Sequence, residues 1–123
     1  MTTLGKNYTD GELIVRQGES GDCMFVIQEG EVEVFVICDG RDVPLAIRKS
    51  GEFFGEMAIF ERETRAASVR ARGQAQVLTV DRRQLLSRIE EDPALAMRMI
   101  QTMCHRIRDL SGELVRLKGG ASD

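Results

Sequence analysis

Between residues 12 and 80 the apolar positions fall in short runs, each closed by a turn signal. Leu13-Ile14-Val15 gives way to Gly18-Glu19-Ser20-Gly21-Asp22, and residues 23–28 run apolar until Glu29-Gly30. Residues 31–37 alternate, with Val32, Val34 and Val36 on one face, which is the period of a half-buried strand. Asp39-Gly40 then reads as a hairpin turn. Residues 45–48 form a further short run ended by Ser50-Gly51, and residues 69–71 and 77–80 read as two more strands separated at Arg72-Gly73. Short strands at this spacing predict an all-β sandwich or barrel.

The period changes at Asp81. Asp81 with Gln84 three residues later resembles a capping box and predicts a helix to about Glu91. Asp92-Pro93 predicts a second start, with the acid as N-cap and the proline at the first helical position. That helix is expected to reach about Lys118, leaving residues 119–123 as a disordered tail. Along it Ile100, Met103, Ile107, Leu110, Leu114 and Leu117 alternate four-three spacing, an a/d seam of roughly two and a half heptads. Gly112 weakens the helix by about 1 kcal/mol relative to alanine. The seam must pack on the strands of its own chain or on a second helix. The expectation is a homodimer helix buttressed by those strands.

Composition narrows the classes. The 123 residues suit one domain, expected over residues 1–118 with the β region at 10–80 and the helices at 81–118. No apolar run approaches the ~20 residues of a membrane span, nor does the start resemble a signal peptide, so a cytoplasmic protein without membrane contact is expected. A net charge of −3 argues against a nucleic-acid surface. Basic residues cluster at 62–72 and 98–116, but acids interleave both runs and make them solvated faces. The cysteines Cys23, Cys38 and Cys104 form no CxxC pair, so free buried thiols are expected rather than a metal site. His105 is the only histidine, which removes His-rich metal centres, including the cupin type, and leaves it an ordinary helix residue.

The chemistry concentrates in Phe53-Phe54-Gly55-Glu56-Met57-Ala58-Ile59-Phe60 and Arg65-Ala66-Ala67-Ser68-Val69. Gly55 allows close backbone approach to a ligand. The residues after it can open a short helix whose N–H groups favour an anion. Arg65, nine residues beyond Glu56, offers a planar fork suited to phosphate oxygens. Ala66 and Ala67 are small enough for a phosphate to reach their backbone. Glu56 needs a partner if buried, and either a sugar hydroxyl or Arg65 itself can supply one. Alone, these residues are also compatible with a surface ion pair.

Phe54-Gly55-Glu56-Met57-Ala58 and Arg65-Ala66-Ala67-Ser68-Val69 resemble the phosphate-binding cassette of the cyclic-nucleotide-binding family. That family includes the bacterial catabolite activator protein, the protein kinase A regulatory subunits and cyclic-nucleotide-gated channels. Gln17-Gly18-Glu19-Ser20-Gly21-Asp22, residues 24–27 and Gly30 resemble its glycine-punctuated turns, so the likeness covers about residues 10–117. It implies a β-roll, or jelly roll, with a short cassette helix and two C-terminal helices. It also implies that Glu56 accepts from the ribose 2′-hydroxyl with the Gly55 N–H nearby, that Arg65 pairs with the equatorial phosphate oxygen, and that the Ala58 and Ala66 N–H groups complete the cage. Met57 and Ala67 fall within the cassette, and Val34 and Leu45 match apolar positions around the nucleotide. Aligned without gaps from Pro93, Leu110 and Ser111 fall at positions that contact adenine.

The departures matter too. Ala66 stands where cGMP-selective members often carry threonine, which favours cAMP, with cGMP as the alternative ligand. Arg48 replaces an apolar residue near the base. The helix that usually precedes the roll is not expected in residues 1–9, and no output domain is expected after the long helix. The expectation is therefore a non-enzymatic sensor module that needs no cofactor besides its nucleotide and acts through an unidentified effector protein. The competing reading is an interaction domain that keeps the roll and has lost the ligand. Such losses typically remove the arginine or the glutamate, and both are present.

Overall fold

The computed structural model describes residues 5–61 and 64–121. Six strands come first: β1 (Lys6–Tyr8), β2 (Leu13–Val15), β3 (Cys23–Cys38), β4 (Arg41–Lys49), β5 (Phe53–Phe54) and, after helix α1 (Met57–Glu61), β6 (Ser68–Asp81). They form one antiparallel sheet in the order β1-β6-β3-β4, with β2 also on β6 and β5 on β3. Helices α2 (Arg82–Glu91) and α3 (Ala94–Ala121) complete the chain. The fold is the expected β-roll with C-terminal helices.

Two expected strand breaks are bends within longer strands. Residues 23–28 and 31–37 belong to one strand, β3, and residues 69–71 and 77–80 to one strand, β6. Gly30 adopts φ 80°, and the β3–β6 register shifts on both sides of Glu29. A glycine in this conformation makes a bulge that turns the strand without ending its pairing. A side chain at Gly30 would also collide with the backbone of Gln74 and Ala75 on β6. The glycine therefore serves close strand approach as well as curvature. Below the bend β3 pairs with β5 and the end of β6; above it, with β4 and the start of β6.

The core lies inside this curl. Val32, Ile27 and Val77 are almost fully buried, and Tyr8, Val15, Phe25, Phe54 and Val69 pack with them. Each fully buried side chain of this size contributes roughly 1.5–3 kcal/mol. Val34 packs on the cluster from its edge. Short β1 was not legible in the sequence because a single buried residue, Tyr8, anchors it.

The helical signals behave as predicted. The Asp81 N–H donates to Gln84 Oε1 at 2.9 Å, and the Gln84 N–H donates to Asp81 Oδ1 at 2.8 Å, a reciprocal capping box. Asp92 accepts from Arg98 at 2.8 Å. The chain divides at Gln84–Leu85 into two compact units, the second holding α3 and most of α2. Helix α3 extends to Ala121, past the expected end at Lys118; residues 122–123 of the expected tail lie outside the described residues. Ile100, Ile107, Leu110, Leu114 and Leu117 of the seam are each more than half exposed.

The cysteines depart from expectation. Cys23 is half-buried, whereas Cys38 and Cys104 are exposed. Cys38 ends β3 beside the Asp39-Gly40 hairpin turn, and Cys104 faces outward on α3. Apolar character does not bury a residue that the topology places on an outer edge. No helix among the described residues is long and apolar enough to cross a membrane.

Candidate functional site

The cassette is assembled from three segments that are distant in sequence. Phe53 and Phe54 of β5 pair with Val26 and Phe25 of β3, which fixes the strand leading into Gly55. Gly55 turns the chain at φ 76° into α1, whose Ala58 and Ile59 are buried. The Arg65 end is tied to the loop between β2 and β3. The Gly18 N–H donates to the Arg65 carbonyl at 2.8 Å, and the Arg65 N–H donates to the Glu19 carbonyl at 2.8 Å. Ser20 and Thr64 form a β-bridge beside them. Ser68 is 1 % exposed, and its hydroxyl accepts from the Gln17 N–H at 2.8 Å. The glycine-punctuated turn is thus a structural partner of the cassette.

Arg65 is half-buried and reaches back across the site. Its Nη1 donates to the Gly55 carbonyl oxygen at 2.9 Å and its Nη2 to the Cys23 carbonyl oxygen at 2.8 Å. The Cys23 sulfur lies 3.8 Å from Nη2. Its Cζ stands 5.5 Å from the centre of the Phe25 ring, which stacks on Phe54 at 5.0 Å and 13°. No carboxylate among the described residues forms an ion pair with it. Two neutral carbonyls occupy part of a five-donor fork, so among the described residues the positive charge of Arg65 is not cancelled by its hydrogen-bond partners.

Arg70 shows the contrasting case. It donates to Glu33 and, at 2.8 Å, to Asp42, and its Cζ lies 4.1 Å from the Phe35 ring centre. The hydrogen bonds to Glu33 and then Asp42 raise its pKa above the ordinary arginine value. A surface hollow of about 450 Å³ beside it is lined by Asp10, Gly11, Glu33, Arg70, Ala71 and Arg72. Arg70 already carries two carboxylates, so this hollow lacks the excess charge that marks Arg65.

The other expected site residues distribute as follows. Glu56 is half-buried at the start of the cassette, Ala67 is half-buried, and Ala66 is exposed. The Ala58 N–H donates to the Gly55 carbonyl, at a long 3.4 Å. Met57 is 52 % exposed. Val34 lies opposite Ala46 and Val69 on the face that carries Val32, and Arg48 lies opposite Val32. Leu45 sits at the β3–β4 register shift and is 58 % exposed. Leu110 and Ser111 belong to α3, in the second unit, and are exposed. The structure thus brings Gly55 and Arg65 into contact. Sequence reasoning missed Cys23, Gly21 and Phe25 as neighbours of Arg65, although the Gly21-Asp22 turn signal lay beside them. Among the described residues no three His, Cys, Asp or Glu side chains group to hold a metal ion.

Comparison with known proteins decides the family. The model of the cyclic nucleotide-binding domain matches residues 5–92. The chain belongs to the cyclic nucleotide-binding domain family. A cyclic AMP receptor protein from Thermus thermophilus is 30 % identical over 108 residues, covering 87 % of this chain and 50 % of that protein. A cAMP-dependent protein kinase regulatory subunit from Emericella nidulans is 38 % identical over 72 residues, covering 58 % of this chain and 17 % of that protein. The crystal structure of the Thermus thermophilus catabolite activator protein superposes with a TM-score of 0.82 at 29 % identity, covering 92 % of this chain and 54 % of that one. This cyclic nucleotide-binding domain spans half or less of the length of the two curated relatives.

Proposed function

We propose that this domain is a cytoplasmic cyclic-nucleotide sensor that holds cAMP in preference to cGMP, does no chemistry on it, and signals as a homodimer to an effector protein. The observation that carries the proposal is the Arg65 guanidinium, half-buried against the Gly55 and Cys23 carbonyls with no carboxylate of the described residues ion-paired to it. A cation placed this way by neutral acceptors suits an anionic phosphodiester. In this reading Arg65 meets the equatorial phosphate oxygen, Glu56 accepts from the ribose hydroxyl, and the backbone of Ala58, Ala66 and Ala67 lines the phosphate. Val34, Leu45 and Met57 supply apolar contact. The base preference rests on Ala66, whose methyl cannot hydrogen-bond guanine. It rests also on the resemblance that places Leu110 and Ser111 at adenine-contacting positions.

In this reading Glu56 is committed to the ribose hydroxyl and Arg65 to the phosphate, so the nucleotide is held intact. Dimerisation is proposed from the exposed a/d seam of α3. Calorimetric titration of the domain with cAMP and then cGMP tests the reading. Saturable binding of both, tighter for cAMP and with the nucleotide recovered unhydrolysed, is expected. Absence of heat with either nucleotide overturns it.

A further inference from the structure

We propose that Gly21 and Phe25 are positioning residues for Arg65, forming a slot that sets the direction of its guanidinium before any ligand arrives. The inference rests on the reading of Arg65 as the phosphate partner and extends it to residues outside the cassette. Gly21 has no left-handed φ, so its backbone does not require glycine. What a side chain there would meet is Arg65: a β-carbon built on Gly21 lies 2.6 Å from the Arg65 Cζ and closer still to Nε and Nη2. That is well inside the van der Waals contact distance of non-bonded atoms, so either the guanidinium leaves or the turn moves. Glycine at position 21 thus makes room for the arginine.

Phe25 acts from its ring. Its centre lies 5.5 Å from the Arg65 Cζ, within the range of a cation–π contact. The ring is itself immobilised: Phe25 is 8 % exposed, stacks on Phe54 and pairs with it across β3 and β5. A β-carbon on Gly55 would lie 3.2 Å from Phe25 Cδ2 and 2.8 Å from Arg65 Nη1. The ring, the arginine and the turn at Gly55 therefore fill one contiguous space. With the Gly55 and Cys23 carbonyls as acceptors, Gly21 and Phe25 leave the guanidinium one way to lie. Fixing a rotamer-rich side chain in advance removes an ordering cost from binding.

The test uses Gly21→Ala, Phe25→Leu and Phe25→Tyr in the whole chain, with Arg65→Ala as the reference. Two readouts are taken. One is the Nε–H resonance of Arg65 in the ligand-free protein, identified by its loss in Arg65→Ala. The other is the affinity ratio for the two phosphorothioate forms of cAMP, in which sulfur replaces either the equatorial or the axial oxygen. Gly21→Ala and Phe25→Leu are expected to shift the resonance and to lower cAMP affinity by about tenfold. They are also expected to bring the phosphorothioate ratio toward the Arg65→Ala value, while Phe25→Tyr stays near wild type. A general loss of stability would weaken both phosphorothioates equally and leave their ratio unchanged. An unmoved resonance with a wild-type ratio in both Gly21→Ala and Phe25→Leu overturns the slot. If the wild-type protein binds neither nucleotide, the phosphate reading of Arg65 fails. The resonance then separately decides whether Gly21 and Phe25 hold the side chain.

Discussion

Arg65 and Gly55 are joined by a 2.9 Å hydrogen bond from the guanidinium Nη1 to the glycine carbonyl oxygen. This bond links the two ends of the cassette across the residues between them. Its acceptor is neutral, so it orients the cation without cancelling its charge, in contrast to the two carboxylates on Arg70.

Ser68 ties the turn at Gln17 to its own strand, β6, through a part-buried 2.8 Å bond. Replacing it with alanine leaves the Gln17 N–H without that acceptor. Ser68→Ala should cost about 1–3 kcal/mol of stability. Urea unfolding, with the midpoint lowered and the slope unchanged, is the check.

Ala66 is exposed, so a larger side chain is accommodated there without disturbing the core. Ala66→Thr supplies a hydroxyl able to bond guanine and should narrow the cAMP preference by improving cGMP affinity. A single hydrogen bond corresponds to about 0.5–1.5 kcal/mol, or roughly two- to tenfold. Competition between the two nucleotides measures it. An unchanged ratio would move attention to Arg48, which lies opposite Val32.

The α3 seam leaves Ile107 61 % and Leu114 55 % exposed. The domain should sediment as a dimer, and Ile107→Asp with Leu114→Asp should convert it to a monomer. A wild-type monomer at high concentration, with and without cAMP, contradicts the dimer.

Asp92 is held below its ordinary carboxyl pKa, first by the hydrogen bond from Arg98 and further by that charge and by the Ala94 N–H. A depressed folded-state pKa means that its contribution is present above the unfolded value and is lost as pH falls through the folded one. Acid titration of helical circular dichroism should therefore show a component that disappears in Asp92→Asn.

Much of this was legible in the sequence. The Asp81/Gln84 capping box, the Asp39-Gly40 turn and the alternation around Val32 each depend on neighbours a few residues apart, and local pattern reports them faithfully. The bends at Gly30 and Gly73 were misread as strand ends, because a glycine that breaks a strand and one that bends it look alike until the partner strand is known. Within the site, Gly55 and Arg65 were identified from residue type. Their meeting with Gly21, Cys23 and Phe25 depends on β3 lying beside β5, a pairing that no local window contains.

The central claim is that Arg65 supplies the charge that holds a cyclic phosphate, with Glu56 in a lesser role on the ribose. Removing one member of a desolvated charge pair costs roughly 2–5 kcal/mol, whereas a hydrogen bond to a charged acceptor is worth about 1.5–3 kcal/mol. The most direct test is calorimetric titration of cAMP into the wild-type protein, Arg65→Ala and Glu56→Ala. Binding should be lost or severely weakened in Arg65→Ala and weakened less in Glu56→Ala. Wild-type affinity in both variants would contradict the account.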